Sequence, residues 1–287
     1  MAYLFLFPAN ALLIKNPGQV GRAVPVPYSY PITKTQFSPT LSLLKSDFNS
    51  DKVVHMRKEP FGLGDYVHIY NRGNRKQPIV RDGRDKFRFL QYLYYFNTEV
   101  TPPNPIRNLL KSDFNRWPKD WQPKKPIVKI LCFILRDNHF HILAKEIKEG
   151  GITLFMRRLG TGMTNYFNIK HQESGRLFQG AYKARVVVND NYLKYLSVYI
   201  QVKNLFEIYP GGFEKALKEF DKAFQWASEY RFSSLCNSNN ENQAVPAIVD
   251  KEILEEIFPT QKDFKDFSKD SLFDLENKLK DIIFVEV

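Results

Sequence analysis

The chain has 287 residues, 43% of them hydrophobic and 25% charged, which is long enough to bury a substantial core. Its two cysteines, Cys132 and Cys236, are too few for a disulfide framework or a cysteine-rich zinc site, and Cys132 sits in an apolar run as a small core residue. The formal charge of +11 is uneven: residues 241–287 hold six lysines against twelve acidic residues, so residues 1–240 carry +17. That excess favours a polyanionic partner, although basicity alone fits DNA, RNA or an acidic membrane surface equally.

Residues 2–14 are apolar but interrupted by Pro8 and Asn10, lack a basic leader and are too short to span a bilayer, so a soluble, cytoplasmic protein without a membrane partner is expected. Pro17, Pro25, Pro27, Pro31 and Pro39 argue against persistent helix or central strand, and residues 1–60 read as a variable extension. The heptapeptide Leu43-Leu44-Lys45-Ser46-Asp47-Phe48-Asn49 recurs unchanged from Leu109 to Asn115, but seven residues is far below a solenoid unit and no function is assigned to it.

A main domain is expected over residues 61–207. Residues 66–71 permit a strand, with His68 open to three readings: a ligand, a structural histidine or a nucleic-acid contact. Residues 82–96 read as a helix with Phe87, Leu90 and Tyr94 on a buried stripe, before Pro102, Pro103 and Pro105 break the pattern. Two strands follow, 128–135 and 139–145, antiparallel across the turn at 136–138. The two-residue period of the second places His139 and His141 on one face and Phe140 and Ile142 on the other, against a core.

Residues 151–171 are helix-like, with Leu154, Phe155, Leu159, Met163, Tyr166 and Phe167 spaced for packing and Gly160 and Gly162 weakening continuity. Arg157 and Arg158 form either a solvated face or phosphate contacts. Residues 177–188 leave the helical pattern. Arg176, Lys183 and Arg185 then surround Phe178 and Tyr182, an arrangement that fits base stacking with backbone-tracking cations, or ordinary β packing with basic solvent positions.

Residues 191–206 read as a helix capped by Asp190 or Asn189, carrying Tyr192, Tyr195 and Tyr199 at spacings that stack phenols on one side. After Pro210-Gly211-Gly212, an amphipathic helix over 213–229 is expected, with Trp226, Tyr230 and Phe232 docking residues 208–235 on the core. Residues 236–287 form an acidic, helical tail. The order predicts an α+β class: a ferredoxin-like antiparallel sheet with packed helices and a C-terminal helical extension.

The candidate chemistry lies in Asn138-His139-Phe140-His141, because the chain has only five histidines and two fall in one tripeptide. Imidazole suits transition metals, while magnesium prefers oxygen, which makes manganese a reasonable in vitro ion. A phenol with a reference pKa of about 10 needs an ion or base nearby to act as a nucleophile at neutral pH.

Four ordered blocks resemble the single-tyrosine HUH transposases of bacterial insertion sequences, in particular the REP-associated tyrosine transposase branch, over roughly residues 64–234. These are Tyr66-Val67-His68-Ile69-Tyr70-Asn71-Arg72-Gly73-Asn74, with an Arg-Gly turn, and Leu135-Arg136-Asp137-Asn138-His139-Phe140-His141-Ile142-Leu143, with the His-hydrophobic-His motif. Gly175-Arg176-Leu177-Phe178-Gln179-Gly180-Ala181-Tyr182-Lys183-Ala184 and Tyr192-Leu193-Lys194-Tyr195-Leu196-Ser197-Val198-Tyr199-Ile200-Gln201 complete the set.

The resemblance implies that Tyr199 is the nucleophile, that His139 and His141 ligate Mg2+ or Mn2+, and that the substrate is single-stranded or hairpin DNA, cut through a covalent 5′-phosphotyrosine. Arg72, Arg157, Arg158, Arg176, Lys183, Arg185 and Lys203 are the candidate DNA contacts and Phe178 and Tyr182 the candidate stacking residues. The resembling enzymes are often dimers, so the tyrosine helix is expected to reach the open sheet face from the same chain or from a second subunit. One position departs from the pattern: where a polar amide commonly follows the nucleophile by one helical turn, this chain has Lys203, whose ammonium has no lone pair. Asn204 is the alternative third ligand, but on a regular α-helix it lies about 140° away from the face of Tyr199. Three alternatives follow: the helix turns locally so that Asn204 points inward, or Lys203 contacts phosphate and water completes the metal site, or the chain is a degenerate, catalytically inactive relative that binds DNA but cuts poorly.

Overall fold

The computed structural model describes residues 60–100, 117–119, 121–236 and 245–273; the expected N-terminal extension and both copies of the heptapeptide lie outside them. Four strands, β1 (Tyr66–Arg72), β2 (Val128–Leu135), β3 (His139–Glu146) and β4 (Lys183–Val186), form one sheet in the order β2-β3-β1-β4. Each neighbouring pair is antiparallel. Helix α1 (Gly83–Tyr95) connects β1 to β2, and α2 (Gly151–His171) connects β3 to β4, which gives the ferredoxin-like βαββαβ arrangement.

Alternation along β3 does what the two-residue period requires. Phe140, Ile142 and Ala144 turn to one face and join Val67 and Ile69 of β1 in a core completed by Phe89 and Leu93 of α1 and Phe155 and Leu159 of α2. Truncating a side chain as enclosed as Ile142 to alanine costs about 2–5 kcal/mol at such a site. Leu143 turns the other way, to a second core with Leu131, Cys132 and Ile134 of β2. The adjacent Leu131 and Cys132 share that face because the ladder shifts register between Ile130 and Cys132, a bulge that breaks strict alternation.

Asp82 caps α1 by accepting the Asp85 N–H at 3.0 Å. Helix α2 runs unbroken through its two interior glycines. At Gly162 the reason is close packing: a Cβ there would lie 2.7 Å from Cε2 of Phe96, at the end of α1. The second core is covered by α3 (Asp190–Val198), capped by Asn189, and by the residues that follow it in the same chain, including Ile200, Leu205 and Phe206. Thus the sheet is packed on both faces, and the tyrosine helix reaches the histidine face from its own chain.

The amphipathic segment expected over 213–229 is two helices, α4 (Gly212–Lys218) and α5 (Phe220–Ser228), with Glu219 (φ −109, ψ 38) departing from helical geometry between them. Ala216, Phe220 and Phe224 still pack on Phe206, because the break leaves both apolar stripes on the core. Tyr230 donates from its hydroxyl to the Leu135 carbonyl at 3.0 Å and Phe232 packs edge-on to Phe87, so this extension closes over the end of β2. Beyond it lie α6 (Glu252–Ile257) and α7 (Gln261–Phe273): Lys129 of β2 pairs with Asp250, just before α6, at 2.9 Å and with Glu252, at its start, at 2.8 Å, while Lys265 of α7 pairs with Asp221 of α5 at 2.7 Å. Among the described residues no helix is long and apolar enough to cross a membrane.

Candidate active site

The β1–β3 register places Arg72 opposite His139 and Tyr70 opposite His141, so the strand ends present two imidazoles flanked by a phenol and a guanidinium. His68, two residues before Tyr70 on the same face, reaches diagonally to His141: Nε2 of His68 lies 2.9 Å from Nδ1 of His141. All three histidines are held neutral. Burial, with Arg185 across the β1–β4 ladder, pulls His68 down to about 3; burial, with Arg136 nearby, pulls His139 down to about 4. Burial and the adjacent imidazoles hold His141 well below the ordinary histidine range.

Tyr199 enters this group at a change of helical geometry. Residues Tyr199–Lys203 form a π turn between α3 and the helical residues Asn204–Phe206. The backbone N–H of Asn204 bonds to the Tyr199 carbonyl, five residues back, and its side-chain Nδ2 donates to the same carbonyl at 2.8 Å. In a π turn a residue five positions on comes back under the first, where an α-helix would leave it on the far side. The local turn therefore brings Asn204 inward, and its Oδ1 stands 3.4 Å from Nε2 of His139. Lys203 projects differently: its ammonium pairs with Glu207 at 2.6 Å and stands 5.2 Å from the centroid of the Tyr199 ring. That ring meets His141 edge-on at 5.3 Å and His68 at 6.2 Å.

Proton bookkeeping defines the donors. Asn138 directs Nδ2 to the Lys76 carbonyl and so turns Oδ1 to Nδ1 of His139, 2.7 Å away. An oxygen acceptor at that short distance assigns the single proton of neutral His139 to Nδ1. Nε2 then carries a lone pair, and it faces Oδ1 of Asn204, whose own donor is committed to the Tyr199 carbonyl. In the tautomer with the proton on Nδ1, two acceptors converge with no hydrogen between them, an arrangement that suits a cation; in the other, Nε2–H donates to Oδ1 of Asn204. The described residues contain no group of three or more His, Cys, Asp or Glu side chains arranged to hold a metal ion. The donor set that fits one is of mixed type: His139, the amide oxygen of Asn204, and His141 where its Nδ1–H donates to His68 and frees Nε2.

These groups line a cleft of about 470 Å³ together with Arg72, Lys183 and Gln179. Its acidic member, Glu207, is neutralised by Lys203 and by Arg136 at 3.3 Å. Tyr195 turns elsewhere, packing its ring on Phe267 of α7 at 5.4 Å. The remaining sequence candidates divide into separate places. Arg157, Arg176 and Tyr182 line a second cleft between α2 and the segment before β4. Phe178 is largely buried, with its ring edge-on to Phe140 at 6.0 Å, so packing is its evident contact even though it borders that cleft. Arg158 is directed to the backbone after α1, donating to the carbonyls of Phe96 at 3.2 Å and Thr98 at 2.5 Å. Asn138 opens the candidate histidine stretch but has no role of its own in the sequence reading; its contact with Nδ1 of His139 supplies one.

No family model matches the chain, and no curated protein matches it. Among solved structures it is similar to one described as the structure of the REP-associated tyrosine transposase bound to a REP hairpin. The identity is 12%, the alignment covers 62% of this chain and 81% of that one, and the TM-score is 0.37.

Proposed function

We propose that the protein cleaves and rejoins single-stranded, hairpin-associated DNA, with Tyr199 as the nucleophile and a divalent cation, Mg2+ or Mn2+, beside it. The observation that carries this reading is the convergence of Tyr199, His139, His141 and Asn204 in one cleft through the π turn. Tyr199 Oη would form a bond to the scissile phosphorus as the bond to the 3′ oxygen breaks; the phenol loses its proton and the departing oxygen gains one. The product is a 5′-phosphotyrosine and a free 3′-hydroxyl, and attack by a 3′-hydroxyl on the linkage reverses the step.

His139, His141 and Asn204 would hold the cation, which supplies charge stabilisation at a nonbridging phosphate oxygen. Lys203 places a positive charge 5.2 Å from the centroid of the Tyr199 ring, beside the attacking group. Arg72 and Lys183, which line the cleft, supply cations for the strand's phosphates, and Arg185 lies two ladder positions further along β4.

The test uses end-labelled hairpin DNA with a single-stranded flank, incubated with Mn2+ or Mg2+ and resolved under denaturing conditions. A protein–DNA adduct that disappears in Tyr199→Phe while binding persists supports the reading; no adduct with either ion refutes it. A second reading, a transposase-derived protein that binds DNA without cutting it, is favoured by Lys203 standing one α-helical turn after Tyr199 and by the broad positive charge of residues 1–240. It predicts equal behaviour of the native protein and Tyr199→Phe.

A further inference from the structure

The π turn takes up one residue more than an α-helix would between Tyr199 and Asn204, and the surrounding packing limits where that residue can go. Leu193 and Leu196 before the turn, and Leu205 and Phe206 after it, are fixed in the second core. The surplus therefore has to be absorbed between them, either before Asn204 or after it. Absorbed before, as here, it turns Asn204 inward, with Oδ1 3.4 Å from Nε2 of His139. Absorbed after, it would restore α-helical spacing from Tyr199, with Lys203 about 40° from the tyrosine and Asn204 about 140° away. The ammonium of Lys203 has no lone pair to offer in that place.

One side chain distinguishes the two arrangements. In a continuing α-helix the Ile208 N–H would bond to the Asn204 carbonyl, but here it bonds to the Leu205 carbonyl at 3.0 Å. The Asn204 carbonyl accepts instead from Nη1 of Arg136 at 2.5 Å, as the open carbonyls near a helix end do from basic side chains. The same guanidinium reaches Glu207 at 3.3 Å. Arg136 is itself held, because its backbone N–H donates to the His139 carbonyl at 2.8 Å. The turn that carries it is pinned at Asp137, whose carbonyl accepts from the Ile79 N–H at 2.7 Å and whose carboxylate pairs with Lys86 at 2.8 Å. The Arg136 side chain is 16% exposed and does not line the tyrosine cleft. A single residue thus binds the backbone of both His139 and Asn204 and reaches the cleft only through them.

We propose that Arg136 is a positioning residue: by holding the Asn204 carbonyl it keeps the surplus residue before Asn204, so that the amide, and not Lys203, is presented to His139. The segment then has two settings, which differ in which of two adjacent side chains faces the site. The proposal deepens the strand-cleavage reading and rests on it for the use made of the donors. The helical register itself does not depend on that reading.

Nuclear magnetic resonance of the metal-free full chain tests the register directly. Scalar coupling across the hydrogen bond should join the Asn204 amide nitrogen to the Tyr199 carbonyl carbon in the native protein and in Arg136→Lys, which keeps a donor. In Arg136→Met the coupling should move to the Ile200 carbonyl. Arg136→Gln, whose shorter side chain leaves the Asn204 carbonyl unreached, should do the same and serves if Arg136→Met does not fold. A Tyr199 coupling retained in the variants that lose the donor overturns the proposal. Calorimetric titration with Mn2+ separates positioning from general support of the fold. Arg136→Met should weaken binding by about tenfold, Arg136→Lys should recover part of the loss, and Arg136→Met should add no further loss to Asn204→Ala. A full additional loss in that double variant also overturns the proposal, because Arg136 would then act apart from Asn204. A native protein that binds no Mn2+ counts against the strand-cleavage reading alone, and the coupling then decides the proposal.

Discussion

Asn204 is bound twice to the carbonyl of Tyr199, once through its backbone N–H and once through its side-chain Nδ2 at 2.8 Å, and this double bond across the π turn fixes where its amide oxygen points. The same contact therefore sets the position of the nucleophile's backbone and the orientation of a donor aimed at His139. Asn204→Ala should weaken Mn2+ binding by at least about tenfold, as removal of an orienting or ligating partner does, and Asn204→Asp should retain or strengthen it. Calorimetric titration of the purified protein with Mn2+ measures both; equal affinity in all three proteins would remove Asn204 from the site.

His68 fixes the tautomer of its neighbour. For His141 to offer Nε2 to a cation, its Nδ1 must donate across the 2.9 Å contact to His68. His68→Ala should therefore lower Mn2+ affinity by about 10–100-fold, and His68→Gln, whose side-chain oxygen accepts the same hydrogen, should recover part of it. Nitrogen-15 chemical shifts of the metal-free protein give an independent reading: Nδ1 of His141 should be the protonated nitrogen.

Lys203 and Glu207 set the charge beside the phenol, with 2.6 Å between ammonium and carboxylate. Replacing Lys203 with Met should move the pH profile of adduct formation to the alkaline side, because the phenolate loses its cation. Glu207→Gln should shift it the other way. Single-turnover rates from pH 6 to 10 provide the measurement, and coincident profiles would show that Lys203 has no electrostatic part in the reaction.

The neutral buried histidines also make a prediction about folding. His68 is depressed to about 3 and His139 to about 4, so below the unfolded value near 6.5 the unfolded chain binds more protons than the folded one. Stability is then fully present above about pH 6.5 and is lost as pH falls through that window toward the folded values. Denaturation midpoints should decline between pH 6.5 and 4, and His68→Asn should flatten part of the decline. A midpoint constant down to pH 4 in the native protein would contradict the buried, neutral state.

Gly162 should not tolerate substitution. Its added methyl would meet Phe96 at 2.7 Å, so Gly162→Ala forces α1 and α2 apart and should cost about 1–3 kcal/mol in chemical denaturation. A stabilised Gly162→Ala would mean that the two helices are less closely packed than described.

Much of this was legible from the residues alone. Alternation in β3 placed His139 and His141 opposite Phe140 and Ile142, and the strand and helix order led to the ferredoxin-like sheet. The position of Asn204 was not legible, because helical periodicity assumes 100° per residue and the π turn abandons it; the hydrogen bonds that define the turn appear only in three dimensions. The role of His68 depends on strand register, which brings it diagonally within reach of His141, 73 positions away. Arg158 carries the same charge pattern as Arg157, yet one caps carbonyls and the other lines a cleft, a distinction set by where α1 ends. The apolar stripe over 213–229 ran on through Glu219, so the break there left no trace in periodicity.

Peptide mapping by mass spectrometry, after incubation with flanked hairpin DNA and Mn2+, addresses the assignment of Tyr199 as nucleophile most directly. The expected result is a deoxynucleotide phosphate on the phenolic oxygen of Tyr199, with Tyr192 and Tyr195 unmodified. A modification on either of those two residues, or recovery of Tyr199 unmodified while the DNA is cut, would contradict it.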